Sequence, residues 1–95
     1  MHIYEHCRRA TETFGQPFRE VHVWLDEFAG KPQHGMKHRK FRHHEAGIHE
    51  VQNLWGDMAS LAARQHIEDD LAQEGWKQGD PFPKNQADYV RMGFF

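Results

Sequence analysis

The chain has 95 residues, of which 38% are hydrophobic and 27% are charged, values that predict one small domain over residues 1–95. The formal net charge of −2 excludes a general attraction to nucleic acid or to anionic membranes. The single cysteine excludes an intramolecular disulfide, and neither a signal peptide nor a run of about 18 apolar residues is present, so we expect a cytoplasmic protein.

Two helices are predicted in the first third of the chain. Tyr4, Cys7, Thr11 and Phe14 recur at helical spacing, which predicts a helix over residues 3–14 that ends at Gly15. A second helix is predicted over residues 18–29, before a loop rich in glycine and proline at 30–37. Its apolar face holds Val21, Trp24, Leu25 and Phe28.

The longest apolar stripe predicts a third helix that begins at residue 37 or 40 and ends at 54. It comprises Phe41, His44, Ile48, Val51 and Trp55. Because His44 is near the centre of this stripe, we expect it to be a buried, hydrogen-bonded core residue. Gly47, in mid-helix, predicts a close helix–helix approach or room for a bound group.

A fourth helix is predicted over residues 58–74, with Asp57 as its N-cap. Its apolar face contains Ile67 and Leu71, with His66 at the border. A short last helix is predicted over residues 84–92. Period-2 alternation is absent, so the expected fold is all-α, with four principal helices and a short C-terminal helix.

The nine histidines and their spacing indicate the chemistry. His22 precedes Asp26 by four residues, and His66 precedes Asp70 by four, so each pair shares one helix face. Imidazole nitrogens and carboxylate oxygens are ligands that suit Zn, Mn or Fe. Each pair alone is also typical of a surface hydrogen bond or salt bridge.

A metal site assembled from these pairs would use a histidine of the third helix as well. The predicted metal ligands are His22, His43, His66 and Asp70. Asp26 or His38 would orient a ligand or act as a base. The planar guanidinium groups of Arg39 and Arg42 would contact phosphate oxygens.

Other functional classes have weaker support. A basic segment with Lys37, Arg39, Lys40 and Arg42 surrounds Phe41, but it is short and has no helix-turn-helix or zinc-finger spacing, which argues against nucleic-acid binding. No nucleophile elbow or Gly-rich phosphate loop is present. Cys7 is expected to pack as a small apolar residue.

Residues 38–56, HRKFRHHEAGIHEVQNLWG, carry a resemblance. The chain resembles a family of small bacterial and phage proteins of unknown function, which have a His-Arg-x-x-Arg-His-His-x-x-Gly-Ile segment. Members often carry a longer, strand-like insertion before the Gln-His helix. In this chain the corresponding segment, residues 56–62, is too short to contain it. The resembling positions are Tyr4, His6, Phe14, Gly15, His22, Trp24, Asp26, His38, Arg39, Arg42, His43, His44, Gly47, Ile48, Gln65, His66, Asp70, Pro83, Asp88 and Tyr89.

The resemblance implies no activity, but its motif positions coincide with the histidines and aspartates chosen above. We therefore predict a divalent transition metal site in a metal-dependent phosphohydrolase that acts on a small phosphorylated or nucleotide substrate. The alternative is a non-catalytic phage or mobile-element protein that binds a host protein, for which the apolar end at Phe94 and Phe95 would be suited. The same apolar end is compatible with a homodimer.

Overall fold

Five helices are found in residues 1–29 and 39–93, which are the residues that the computed structural model describes. Those ranges contain no strand, which confirms the all-α prediction. None of the helices there is long and apolar enough to cross a membrane. The helices are α1 (Ile3–Phe14), α2 (Arg19–Leu25), α3 (Glu45–Trp55), α4 (Asp57–Gln73) and α5 (Gln86–Arg91).

Helix α4 is the centre of the fold, because it packs against α1, α2 and α3. Its buried face combines three alanines with larger residues, and the alanines let neighbouring helices come close. This face comprises Ala59, Ala62, Ala63, His66, Ile67, Asp70 and Leu71. The other helices contribute Ala10, Val21, Leu25, Val51 and Tyr89 to the core, and Phe18 and Trp76 join it from outside the helices. Two polar residues of α4 are therefore buried at the meeting point of the helices.

The buried face of α1 differs from the predicted stripe. Tyr4 is 75% exposed and Thr11 is also exposed, whereas His6 and Ala10 are buried. The predicted stripe was wrong because it was drawn through Tyr4 and Thr11 and did not include His6, whose position the sequence left open. The C-terminal end of α1 agrees with the prediction: Gly15 has φ 83°, and its N–H donates to the Thr11 carbonyl.

Helix α2 ends at Leu25, before the predicted boundary at residue 29, and Asp26 is its C-cap. The N-terminal end of α4 also differs from the prediction. Asp57 is the first helical residue and Gly56, with φ 98°, is the N-cap. The positive φ explains why glycine occupies the position between α3 and α4.

Helix α3 begins at Glu45, later than predicted. His44 has an extended backbone, and its Nδ1 accepts a hydrogen bond from the Gly47 N–H at 3.1 Å, so it caps the helix. The N–H groups of Glu45 and Ala46 donate to the carbonyls of residues 83 and 84, each at 3.0 Å. These partners satisfy the free donors of the first turn, which makes a start at Glu45 stable.

Before α3, residues 39–41 form a 3₁₀ turn, and the chain then bends to reach His44. Phe41 and His44 therefore do not continue a helical stripe. His44 is nevertheless buried and hydrogen-bonded, which confirms that part of the prediction. Residues 30–38, to which the predicted loop and the start at 37 belong, lie outside the described residues.

Gly47 allows this non-helical segment to lie against α3. A Cβ atom added at Gly47 would collide with the carbonyl oxygen of Arg42 and lie 2.8 Å from its carbonyl carbon. The close approach predicted at Gly47 is real, but the neighbour is the backbone before the glycine's own helix and not another helix.

We expect Gly47→Ala to lower the free energy of unfolding by about 1–3 kcal/mol, as overpacking of a tight contact does. The collision is with backbone, which cannot rotate away, and it should outweigh the helix propensity gained, roughly 1 kcal/mol. Urea unfolding followed by circular dichroism measures the change. Asn53→Ala, on the exposed face of the same helix, is the control and should not destabilise the protein. Equal stability of wild type and Gly47→Ala would contradict the role assigned to this glycine.

Candidate metal centre

Four side chains from three parts of the chain meet at one point. Asp26, His43, His66 and Asp70 each offer a ligand atom, and these atoms all lie within 4.8 Å of one another. Asp26 is the C-cap of α2, His43 lies in the segment before α3, and the other two are one turn apart on α4. The two histidines and two aspartates form what we call the four-residue cluster.

The distances within the four-residue cluster are short and mutually consistent. His66 Nε2 lies 3.3 Å from Asp26 Oδ1 and 3.3 Å from Asp70 Oδ2. His43 Nε2 lies 3.0 Å from Asp70 Oδ2 and 3.4 Å from Asp26 Oδ1. Both imidazoles thus direct the same type of nitrogen toward the same two carboxylate oxygens. Such a convergence of electron-rich atoms requires positive charge, supplied by protons on the imidazoles or by a cation.

Burial makes this requirement stringent. His43, His66 and Asp70 are almost completely buried, whereas the Asp26 side chain is 22% exposed. Asp26 is therefore the least buried member of the four-residue cluster.

These contacts determine the direction in which the pKa values of His66 and Asp70 are shifted. Burial by itself would lower the pKa of His66, but its hydrogen bonds to Asp26 and Asp70 raise the pKa overall. For Asp70, burial alone would raise the carboxyl pKa. The hydrogen bonds from His43, His6 and His66 outweigh it and hold that pKa well below its usual range. Asp70 is thus an anion.

The second oxygen of Asp70 has positive or polarisable neighbours of its own. Asp70 Oδ1 lies 3.3 Å from His6 Nε2, 3.4 Å from the Arg39 guanidinium and 3.1 Å from the amino group of Met1. Arg39 also lies 3.6 Å from Glu74 Oε1. One carboxylate oxygen therefore faces the four-residue cluster, and the other faces compensating groups on the opposite side.

His22 occupies a different position from the one predicted. Its Nδ1 lies 2.9 Å from His66 Nδ1, behind the ring of His66, and its Nε2 lies 2.9 Å from the Pro17 carbonyl oxygen. Burial and the nearby His66 and His6 lower the pKa of His22 to about 4, so it is neutral near pH 7. His22 supports a member of the four-residue cluster and is not part of it.

The remaining predicted site residues are distributed as follows. His43, His66 and Asp70 are brought together, and Asp26, predicted to orient a ligand or act as a base, joins them. Arg39 contacts Asp70 and Glu74 at the rim of the cluster. His38 lies outside the described residues.

The contacts of Arg42 join two parts of the fold. Its guanidinium donates to the Trp24 carbonyl at 2.7 Å and to Glu27 at 3.0 Å, and it lies 4.0 Å from the centre of the Trp24 ring. These contacts fasten the segment that carries His43 to the helix that carries Asp26, and they engage the guanidinium that was predicted to meet phosphate.

Sequence reasoning did not place His6 at the site. Its ring stacks on that of His66, with centroids 3.5 Å apart, and both nitrogens are buried. The sequence did contain an indication of this position. His6 lies four residues before Ala10, so both side chains lie on one face of α1, and the small alanine lets that face approach another helix closely.

No curated protein and no solved structure matches the chain significantly. A family described as a domain of unknown function, DUF6915, matches residues 1–91. This agrees with the predicted resemblance to a family of unknown function, while a bacterial or phage origin stays a prediction. Because the match spans nearly the whole sequence, the chain belongs to the DUF6915 family.

Proposed function

We propose that the protein binds one divalent transition metal ion through Asp26, His43, His66 and Asp70. The observation that carries the proposal is the convergence of two imidazole nitrogens and two carboxylate oxygens within 4.8 Å. Metal–ligand bonds of about 2.0–2.2 Å place neighbouring ligands roughly 3–3.5 Å apart. The four nitrogen–oxygen distances of 3.0, 3.3, 3.3 and 3.4 Å fall in this range.

Charge also favours a divalent ion. Two carboxylates and two neutral imidazoles carry two negative charges. Arg39 and the Met1 amino group offset part of this charge from the Oδ1 side of Asp70, and a divalent ion would neutralise the side on which the two imidazoles converge. The mixed nitrogen and oxygen donors suit zinc, manganese or iron. The site also has an outer partner: His22 contacts the Nδ1 of His66, the ring nitrogen that faces away from the four-residue cluster.

We expect wild-type protein to bind one zinc or manganese ion, and Asp70→Asn to lose it, because the substitution removes a buried anionic ligand. Metal at 100 times its Kd should raise the free energy of unfolding of the wild type by about 2.7 kcal/mol. Isothermal titration calorimetry and thermal unfolding measure the two effects. Circular dichroism checks that the variant folds.

Asp69→Asn is the matched control. Asp69 is the neighbouring residue on α4 and carries the same charge, but it pairs with the half-exposed Arg9 at 3.1 Å. This variant should bind metal as the wild type does. Equal metal-dependent stabilisation of Asp70→Asn, or no stabilisation of the wild type by any of the three metals, would overturn the metal site.

We further propose that the protein is a metal-dependent phosphohydrolase that acts on a small phosphorylated or nucleotide substrate. Manganese and iron commonly take more ligands than the four that these side chains would provide, so water and substrate could also bind. Asp26, His43, His66 and Asp70 would hold the ion, which would supply the Lewis acidity that makes a water more acidic. In the overall hydrolysis the water oxygen would bond to phosphorus, the ester P–O bond would break and the departing alcohol would take the proton.

The protein residues support this reaction by position and charge. Asp26 is the least buried member of the four-residue cluster, so substrate would approach beside it. Arg39 shares its charge between Asp70 Oδ1 and Glu74, on the side of Asp70 that faces away from the four-residue cluster, so it supports the reaction by holding the Asp70 carboxylate in place.

We expect hydrolysis in a screen of p-nitrophenyl phosphate and nucleotides with added manganese, iron or zinc. Asp70→Asn should fall to the level of buffer, and Asp69→Asn should retain wild-type activity. Released phosphate is the measurement. Activity that persists in Asp70→Asn would indicate a contaminating enzyme, and no turnover of any compound with any metal would refute the hydrolase.

A non-catalytic protein that binds a protein partner is the second candidate. Four large apolar side chains are exposed where α3 meets α4: Leu54 58%, Trp55 40%, Met58 48% and Leu61 51%. Surfaces of this kind are typical of interaction sites. In this case zinc with four protein ligands would be purely structural.

The two candidates differ in what Leu61→Glu changes. For a docking protein, this exposed substitution should abolish binding of a partner identified by affinity purification while leaving metal content and melting temperature near wild-type values. For a hydrolase, Leu61→Glu should leave kcat and KM unchanged. If wild type and Leu61→Glu bind the partner equally, the exposed apolar surface where α3 meets α4 is not the binding site.

A further inference from the structure

The two nitrogens of His66 have different neighbours. Nε2 faces Asp26 and Asp70 in the four-residue cluster. Nδ1 faces His22 Nδ1 at 2.9 Å, and the other nitrogen of His22 lies 2.9 Å from the Pro17 carbonyl oxygen. A continuous chain thus runs from a backbone carbonyl through two imidazoles to the cluster.

Hydrogen-bond chemistry assigns a direction to this chain. A carbonyl oxygen only accepts, so His22 Nε2 carries the hydrogen and donates it to Pro17. A neutral imidazole has one N–H, which leaves a lone pair on His22 Nδ1. Because that nitrogen accepts, His66 Nδ1 must donate to it, so the hydrogen that His66 gives up when it binds a metal is the one that Nε2 directs toward Asp26 and Asp70.

We propose that His22 is a positioning residue that selects Nε2 of His66 as its metal-binding nitrogen and holds the ring in the orientation that binding requires. The inference rests on the proposed metal site and assigns His22 a role that differs from that of a ligand. A hydrogen bond to the remote N–H also makes an imidazole a more basic ligand, which strengthens metal binding.

The backbone at the start of the chain of hydrogen bonds is held in an unusual conformation. Phe18 has φ 52° and ψ 43°, the left-handed region, which non-glycine residues rarely adopt. Its ring is 9% exposed and packs edge-on against Phe14 at 6.1 Å. Burial of the ring maintains this conformation, and the peptide between residues 17 and 18 presents its carbonyl to His22.

The first test is nitrogen-15 NMR of histidine-labelled protein, because the shifts of ring nitrogens distinguish protonated, unprotonated and metal-bound atoms. In the zinc-loaded protein we expect His66 to be bound through Nε2 and protonated at Nδ1. His22 should be protonated at Nε2 only, with and without zinc. Zinc on Nδ1 of His66, or a hydrogen on Nδ1 of His22, would overturn the proposal.

Substitution of His22 tests the consequence for affinity. We expect His22→Phe to weaken zinc binding 10–100-fold, the usual effect of losing such an outer partner, and His22→Gln to recover part of it, since the amide both donates and accepts. His49→Phe, at an exposed histidine of α3, is the control and should bind as the wild type does.

These outcomes separate the two proposals. Failure of the wild type to bind zinc would refute the metal site itself. Tight zinc binding that is unchanged in His22→Phe would leave the metal site standing and refute the role of His22. Circular dichroism confirms that the variants fold, and the tautomer of His22 in wild-type protein can be read whether or not a variant is stable.

Discussion

The buried carboxylate of Asp70 is the constraint on which the rest of the structure depends. An isolated charge inside a protein is strongly destabilising, so its neighbours must supply hydrogen bonds and positive charge. Here they come from separate parts of the chain: His6 from α1, Arg39 and His43 from the segment before α3, and His66 from the same helix as Asp70. One anion thereby brings three distant pieces of sequence into contact.

The same constraint explains why residues 39–44 are not part of a long third helix. In this conformation the segment places Arg39 and His43 at Asp70 and directs Arg42 to the end of α2. Gly47 provides the space for the turn, and the carbonyls of residues 83 and 84 bind the first donors of α3. The local preference for helix is outweighed by these tertiary contacts, each of which satisfies a buried or otherwise free polar group.

The two His/Asp pairs show how far spacing can be trusted. His66 and Asp70 lie one turn apart within α4, and both contribute to the four-residue cluster. His22 and Asp26 have the same spacing, but α2 ends between them, and Asp26 turns toward the cluster from the C-cap position. They contact opposite nitrogens of His66 as a result. The rule that positions four apart share a face holds only while the backbone remains helical.

What the sequence by itself determined is local. Periodicity within single elements predicted the all-α class, the approximate positions of the helices, the buried face of α4 and the pairing of His66 with Asp70. Only the tertiary structure decided which histidines share a site, that His6 stacks on His66, and that His22 stands behind the cluster. These relations depend on contacts between residues far apart in the sequence, such as His43 with Asp70 and His22 with His66. Periodicity along a chain contains no information about how separate helices pack.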